Sequence, residues 1–345
     1  MGQPWPTAID LFSGAGGLTL GLRQARFRLV AAVELDPLAA ETYRMNFPTI
    51  PIWERDIREV DPRELMSDLD MAPGDLGLLA GCPPCQGFST IRTRQRRTVR
   101  DPRNALVRDY LRFVEVLRPK TIMMENVPGL ARYRVFRDVL ARLRRLGYSV
   151  RSQVYDAADF GVPQRRKRLI VVGSMLHEPP SPKPRSTRLT VRDAIGSTPP
   201  VGGSGDPLHD ISERRSARVV SIILRIPKDG GSRADLGDEQ LECHKRTDGF
   251  RDVYGRMHWD DVAPTITAGC VNPSKGRFLH PDENRTITLR EALLLQGFPP
   301  DYRLSLGSGK FAAAQMIGNA IPPPLVAEHA RPLRPFAIAT RHQPA

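Results

Sequence analysis

The sequence predicts an α/β fold with a doubly wound, mostly parallel sheet and an inserted, smaller, loop-rich domain. In the first half of the 345-residue chain, apolar runs alternate with amphipathic stretches, a pattern typical of strands joined by helices that cover both faces of a sheet. A glycine-rich turn at residues 13–17 separates the first strand from the first helix. Residues 178–207 are rich in Pro, Gly and Ser without a regular period, which indicates that the sheet domain is interrupted there.

The predicted strands are short apolar runs bounded by turn-forming residues. They lie at residues 8–12, 29–33, 50–53, 76–80, 121–124 and 168–173. The predicted helices repeat apolar residues at a period of about 3.6. They lie at residues 18–25, 38–46, 110–117, 131–146, 289–296 and 325–329. We expect the arginines of the helix at 131–146 to form its solvated face, because its apolar positions form a single stripe.

This pattern predicts a discontinuous large domain. We expect it to comprise residues 1–175 plus 286–335, with residues 176–285 as the inserted domain and residues 336–345 as a disordered tail.

The chain is strongly basic, with 51 Lys and Arg against 38 Asp and Glu and a net charge of +13. Such a charge favours a polyanionic partner, although the large excess of arginine over lysine is also explained by a GC-rich genome. No apolar run approaches the roughly 20 residues of a membrane span, and the N-terminus lacks a signal-peptide pattern. Four cysteines are too few for a disulfide framework at this length. We therefore expect a cytoplasmic protein without a membrane partner.

The glycine turn after the first strand predicts a nucleoside site. Glycines allow close approach of the backbone to a ligand, and the following helix N-terminus offers amide donors. Glu34 ends the second strand and is placed to bind two ribose hydroxyls, and Asp56 follows the third strand, where it can accept from an adenine amino group. The spacing is not G-x-G-x-x-G, so a dinucleotide is disfavoured. The alternative is a plain tight turn.

Cys85 follows Pro83 and Pro84, just after the strand at 76–80. Because proline cannot extend a central strand, the chain turns there and places Cys85 at the carboxyl end of the sheet, where open α/β folds bind ligands. Glu125 follows the strand at 121–124 and shares this edge if the two strands are neighbours. Cys85 is therefore a candidate nucleophile.

Cys82 and Cys85 also form a C-x-x-C pair, which occurs in redox and zinc sites. A second such pair is missing, because Cys243 and Cys270 stand apart, and the chain has no H-x-E element of the zinc deaminases. We predict no metal and expect Cys82 to be a small buried packing residue.

Seven sequence blocks, in order, resemble those of the DNA (cytosine-5) methyltransferases. They lie at residues 10–17, 33–36, 83–89, 125–127, 164–168, 289–299 and 318–325. The resemblance implies a Rossmann-like methyltransferase fold, S-adenosylmethionine as methyl donor, and residues 176–285 as the target recognition domain. The residues it assigns to the cofactor are Phe12, Ser13, Gly14, Gly16, Gly17, Leu18, Glu34, Asp56, Ile57, Pro83 and Asn319.

The same resemblance implies a flipped-out cytosine as substrate, since carbon 5 is unreachable inside a duplex. Cys85 would add to carbon 6, a protonated Glu125 would donate to N3, and Arg168 would hold the carbonyl oxygen at position 2. Arg166 and Arg168 are candidates for stabilising the thiolate. The base that removes the carbon 5 proton is not identified, and water is one candidate.

The predicted contacts with double-stranded DNA lie in two segments. The loop after Cys85 is rich in arginine and is expected to close over the flipped base, and the second segment resembles a Thr-Ile pair of the family. The residues are Gln86, Ser89, Arg92, Arg94, Arg96, Arg97, Thr265 and Ile266. The alternatives are a charged surface loop and a threonine-rich edge strand.

Two other functions remain open: a tRNA cytosine-5 methyltransferase of the same fold, whose Cys-Phe-Thr element this chain lacks, and a catalytically silent DNA-binding homologue. The resemblance implies a bacterial, nucleoid-associated monomer whose genetic partner is a restriction or mismatch endonuclease. The target sequence is not predictable, because base contacts depend on the geometry of a few side chains.

Overall fold

The structure, a computed structural model, describes residues 5–84, 106–211, 213–239 and 252–339. Its contacts divide the chain into two units. The first comprises Met1–Asp156, Lys167–Pro184 and Ile321–Ala345, and the second comprises Ala157–Arg166 and Arg185–Ala320.

A seven-stranded sheet with the order β3-β2-β1-β4-β5-β7-β6 forms the centre of the first unit. The strands are β1 Thr7–Leu11, β2 Arg28–Glu34, β3 Ile52–Glu54, β4 Leu78–Gly81, β5 Thr121–Asn126, β6 Ser149–Asp156 and β7 Lys167–Ser174. Strands β1 to β5 pair in parallel, whereas β7 pairs antiparallel with β5 and β6. The predicted doubly wound, mostly parallel fold is therefore confirmed.

Eleven α-helices lie within the described ranges. They are α1 Gly17–Gln24, α2 Pro37–Asn46, α3 Pro62–Asp68, α4 Leu106–Leu117, α5 Arg134–Arg145, α6 Val191–Ile195, α7 Ala217–Arg225, α8 Leu289–Leu295, α9 Gly309–Asn319, α10 Pro323–Ala330 and α11 Arg334–Ile338. Helices α1 to α5, α10 and α11 belong to the first unit and α6 to α9 to the second.

The core of the first unit lies between the sheet and its helices. Ile9, Leu79 and Ile122 of neighbouring strands are almost fully buried in one cluster with Phe113 of α4. Tyr110 of the same helix is fully buried, and its hydroxyl lies 3.0 Å from the carbonyl oxygen of Leu79. The central strands are buried on both faces, which explains why they are continuous apolar runs in the sequence.

The second unit contains few regular strand pairs and depends on side chains that bind backbone carbonyls. Arg256 is fully buried, and its guanidinium donates to the carbonyl oxygens of Ile223, Ile226 and His280 at 2.9, 3.1 and 3.0 Å. Such bonds satisfy a buried charge and tie loops to α7.

The predicted domain boundaries do not coincide with the two units. Residues 286–320 group with the second unit because α8 is bound there: Arg290 donates to Asp206 at 2.5 Å and to the carbonyl oxygen of Tyr302 at 2.8 Å. The expectation of a tail that is disordered from residue 336 is wrong for its first residues, because Phe336 and Ala337 lie in α11 and are buried. Residues 340–345 lie outside the described residues.

Candidate active site

The turn between β1 and α1 has left-handed backbone conformations at three positions. Phe12, Gly14 and Gly16 have φ values of 63°, 54° and 91°. The amide of Ser13 donates to the carbonyl oxygen of Val33 at 3.0 Å, which fixes the turn against β2. No side chain caps the N-terminus of α1, which begins at Gly17. The amides of Ser13, Gly14 and Gly16 are thus bonded within the fold, and it is the uncapped N-terminus of α1 that offers backbone amides. Leu18 is buried.

Glu34 ends β2 and binds the glycine turn directly. Its Oε2 accepts from the amide of Gly14 at 2.7 Å, and its Oε1 accepts from the amides of Leu35 and Asp36 at 3.0 and 2.8 Å. Burial raises the pKa of the Glu34 carboxyl, and these amide bonds oppose the shift. The sequence-predicted pair of glycine turn and strand-end carboxylate is therefore assembled in the structure.

Asp56 lies two residues beyond the end of β3, at the same edge as Glu34. The strands are parallel, and Glu34 is in register with Glu54. The Asp56 carboxylate accepts from the amide and Nε of Arg58 at 3.0 and 2.9 Å, and this guanidinium lowers the pKa of the carboxyl. Neighbouring Ile57 is buried.

These groups are compatible with an adenosine-containing cofactor. A Cβ built at Gly14 meets no atom within 4 Å, so the space above the turn is open. Carboxylates at the ends of β2 and β3 are the acceptors that sugar hydroxyls and an exocyclic amine require. The predicted binding of S-adenosylmethionine by the glycine turn, Glu34 and Asp56 stays a prediction.

The segment after β4 is tied to the end of β5. Nδ2 of Asn126 donates to the carbonyl oxygen of Pro83 at 2.9 Å. The amide of Cys82 donates to the carbonyl oxygen of Leu11 at 3.2 Å. Pro83 is buried. Cys85 itself, and the predicted DNA-binding residues Gln86, Ser89, Arg92, Arg94, Arg96 and Arg97, lie outside the described residues.

Cys82 is half-buried next to Glu125. Burial, together with the negative charge of Glu125, raises the pKa of its thiol well above the usual value. A thiol that keeps its proton is a poor nucleophile. The predicted role of Cys82 as a small buried packing residue stays a prediction.

Glu125 and Arg168 form an ion pair across adjacent strands. Nε of Arg168, on β7, lies 2.7 Å from Oε1 of Glu125, on β5, and the two side chains are only 14% and 11% exposed. Antiparallel pairing brings them together, since Glu125 is in register with Ile170 and the neighbouring residue pairs follow. The sequence did not predict this contact, because only the strand order reveals that β7 returns beside β5.

Arg166 belongs to the second unit and binds backbone there. It is 2% exposed, and its guanidinium donates to the carbonyl oxygens of Ile266, Gly318 and Ala320 at 2.8, 2.7 and 3.0 Å. These contacts hold residues 263–266 and the end of α9. The predicted action of Arg166 on the thiolate stays a prediction.

Thr265 and Ile266 lie in a segment that pairs with residues 163–165 of the same unit. Oγ1 of Thr265 donates to the carbonyl oxygen of Arg165 at 2.6 Å, and the amide of Ile266 donates to Oε1 of Gln164 at 2.8 Å. The side chain of Ile266 is fully buried, so a DNA contact would require its backbone or its exposure. Their predicted role in DNA binding stays untested.

Asn319 is exposed at the end of α9. The preceding Gly318 is packed against residues 267–268, where a Cβ would lie 2.2 Å from the amide nitrogen of Ala268. This close approach requires glycine. The predicted contact of Asn319 with the cofactor stays a prediction.

Two residues without a predicted role are central to these contacts. Gln164 is fully buried and links Ile266 to Leu295 and Gln296, with Nε2 2.9 Å from Oε1 of Gln296. Asp10 is fully buried in β1, and its Oδ2 accepts from Oγ1 of Thr19 at 2.7 Å. Burial raises the pKa of the Asp10 carboxyl to about 7. The available signal was a polar residue inside an apolar strand and, for Gln164, its place at the start of a resemblance block.

Within the described ranges, no three metal-ligating side chains form a group. Every helix there is too short or too polar to traverse a bilayer.

Comparison with known proteins supplies the family. Residues 7–334 match the model of C-5 cytosine-specific DNA methylases. Over 331 residues the chain is 40% identical to Type II methylase M.HgiDII of Herpetosiphon aurantiacus, covering 91% of each protein. It is 35% identical to Type II methyltransferase M1.HphI of Haemophilus parahaemolyticus, covering 92% of this chain and 83% of that protein. A candidate DNA modification methyltransferase from an Escherichia coli prophage has a similar structure, with a TM-score of 0.69 and 26% sequence identity. The match covers 96% of this chain and 99% of that chain.

Proposed function

Because the chain belongs to the C-5 cytosine-specific DNA methylase family, we propose that it methylates carbon 5 of a flipped-out cytosine in a short double-stranded DNA sequence. S-adenosylmethionine supplies the methyl group when bound. The observation that carries the proposal is the buried pair of Glu125 and Arg168. Glu125 lies at the end of β5, where the neighbouring Asn126 binds the segment that leads from β4 to Cys85.

The proposed chemistry begins with the Cys85 thiolate. Carbon 5 of cytosine is a weak nucleophile, and addition of sulfur to carbon 6 converts the ring into an enamine. The bond between sulfur and carbon 6 forms while electron density moves to N3. For this step Glu125 takes up a proton on its second oxygen, with Oε1 still held by Arg168, and donates that proton to N3. Carbon 5 then takes the methyl group from the sulfonium of the cofactor, which would leave as a neutral thioether. A base removes the carbon 5 proton as the bond to sulfur breaks, and N3 returns its proton to Glu125.

Arg168 orients the groups that meet the base. Its Nε holds Oε1 of Glu125, which limits the rotation of a carboxyl group that must approach N3. The remaining donors of the guanidinium suit the carbonyl oxygen at position 2 of cytosine. Arg168 is thus proposed to bind substrate and to position Glu125.

The names of the relatives, Type II methylase and Type II methyltransferase, favour a restriction–modification setting. We propose that a restriction endonuclease recognises the same sequence and that residues of the second unit read it. We further propose that the enzyme acts as a monomer in the cytoplasm, because one flipped base requires one active site.

The decisive experiment compares two cysteines. With labelled S-adenosylmethionine and duplex DNA, Cys85→Ala is expected to bind cofactor but transfer no methyl group, because the attacking sulfur is removed. Cys82→Ala is the matched control and is expected to keep its activity. Transfer by Cys85→Ala at the wild-type rate would refute the covalent mechanism. Transfer to tRNA but not to DNA would instead favour the RNA substrate, and bisulfite sequencing of DNA from expressing cells would identify the modified cytosine.

A further inference from the structure

An open concavity of about 300 Å³ lies on the second unit, and none of its lining residues is assigned above. It is lined by Arg214, Arg215, Val271, Asn272, Lys310 and Phe311. Three of the six residues are cations, and one is an aromatic residue at the first turn of α9. None of these residues has a role in the chemistry proposed for Cys85 and Glu125.

The charges in this concavity are only partly compensated. Arg215 is paired with Glu213 through two bonds of 2.6 Å and also donates to the carbonyl oxygen of Val271. Burial opposes the ionisation of Glu213, but hydrogen bonds from Arg215 and Thr286 lower the pKa of its carboxyl, and the positive charge of Lys310 adds to this. Neither Arg214 nor Lys310 forms an ion pair with any residue that the structure describes. Three cations facing one carboxylate leave a net positive charge.

The remaining features also favour an anion next to an apolar group. Phe311 is 61% exposed, and Nζ of Lys310 lies 5.7 Å from its ring centroid. The side chain of Ser308 does not cap α9, and the positive end of a helix dipole attracts anions. Cations beside an exposed aromatic ring are a combination found in nucleic-acid-binding surfaces.

We propose that this concavity binds a phosphodiester of duplex DNA, with Arg214 and Lys310 as cationic contacts and Phe311 against the adjacent deoxyribose. The choice of DNA as the partner rests on the proposed function, in which DNA is the substrate of the enzyme. DNA is favoured over an acidic protein segment by the net charge of +13 and by the family of the chain. The contact is to the backbone, so it adds affinity without sequence preference.

The test measures the binding of a fluorescent 30-base-pair duplex of random sequence over a range of salt concentrations. Each phosphate contact contributes about 0.9 to the slope of log K against log salt. The variant Arg214→Ala/Lys310→Ala loses about two phosphate contacts, so the slope is expected to become about 1.8 less steep. Binding at low salt is expected to weaken by at least about 10-fold. Phe311→Ala is expected to weaken binding several-fold with the slope unchanged.

The matched control is Arg144→Ala/Arg145→Ala, which removes two exposed cations from α5. It is expected to leave the slope unchanged. The inference would be overturned if Arg214→Ala/Lys310→Ala unfolded at the wild-type temperature and showed the same salt slope as the wild type. Methylation by the wild type would, in that case, leave the proposed function intact. A wild type that binds the duplex through these residues but transfers no methyl group would overturn the proposed function alone.

Discussion

At the scale of single residues, Arg168 holds the carboxyl group of Glu125, the residue proposed to donate a proton to the substrate. Both side chains are largely buried, and an arginine bound to a carboxylate by a 2.7 Å contact holds that carboxylate in one orientation. A group that donates a proton to a ring nitrogen must lie within hydrogen-bonding distance of it. Orientation by Arg168 is therefore as much a part of the proposed chemistry as the acidity of Glu125.

Replacement of Glu125 with Gln is expected to reduce the rate of methyl transfer by roughly 10²- to 10⁴-fold, the usual contribution of a general acid. Glutamine preserves the size of the side chain but has no proton to transfer to N3. The rate under single-turnover conditions is the measurement, with cofactor affinity as a check on the fold. Glu59→Gln, which alters an exposed carboxylate, is the control. A reduction of less than about 10-fold would remove Glu125 from the role of acid.

For the predicted site residues, the sequence indicates positions at strand ends better than it indicates side-chain contacts. Glu34 and the glycine turn are 20 residues apart and meet through the bond from Gly14 to Oε2, as expected for consecutive parallel strands. Arg166 and Arg168 are two residues apart in the sequence, yet Arg168 binds Glu125 whereas Arg166 binds carbonyl groups of the second unit. Side-chain alternation does not explain this difference, because residues i and i+2 of an extended segment face the same side. Arg166 precedes β7 and belongs to the second unit, whereas Arg168 lies in β7, and a sequence without strand order does not reveal this boundary.

At the scale of elements, strength of burial determines which strands and helices are predictable. The six predicted strands are all found, because five of them are buried runs in the interior of the sheet and the sixth is a short apolar run. The predicted elements do not include β6, a polar strand at one edge of the sheet with one buried and two exposed residues. They also do not include helices α3, α6, α7, α9 and α11, and the start of α3 is marked only by Asp61 as cap and Pro62. Edge strands and short helices have weak apolar patterns.

Asp10 links three elements beneath the glycine turn. Its carboxyl accepts from Thr19 of α1, whose hydroxyl lies 3.0 Å from that of Tyr43 of α2. Burial raises the pKa of Asp10 from 3.8 to about 7, and the charge of Glu34 adds to the rise. The folded state therefore keeps a proton that the unfolded state loses between these two pH values. Stability should consequently decrease as pH rises through this window and level off above it.

Asp10→Asn is expected to remove this dependence, because the amide mimics the protonated carboxyl. The free energy of unfolding of the wild type, relative to that of Asp10→Asn, should fall by roughly 3 kcal/mol from pH 5 to pH 8, at about 1.4 kcal/mol per pH unit below the pKa. Denaturant unfolding of both proteins at several pH values measures it. Glu34 is present in both, so its own titration cancels. If the free energies of unfolding of the two proteins changed with pH in parallel, the raised pKa of Asp10 would be contradicted.

At the scale of the whole molecule, the first unit is completed by a segment that follows the second unit in sequence. Helix α10 packs against α1, and Leu325 and Val326 are fully buried. The sequence analysis predicted that both ends of the chain build the large domain, from the resemblance blocks near each end. The boundary at residue 321 was not predictable, because the bonds from Gln296 and Arg166 to the end of α9 are made by side chains whose partners are distant in sequence.

Gly21 tests this closure, because it allows the two helices to approach closely. A Cβ at this position would lie 2.4 Å from Cβ of Val326 and 2.5 Å from the carbonyl oxygen of Pro323. Gly21→Ala is therefore expected to destabilise the protein by about 1–3 kcal/mol, although alanine in a helix is intrinsically favoured by about 1 kcal/mol. Gly203→Ala, at a position where a Cβ meets no atom within 4 Å, is the control and should change stability by less than about 0.5 kcal/mol. Denaturant unfolding measures both variants. Equal stability of Gly21→Ala and the wild type would mean that α10 does not pack tightly on α1 in solution.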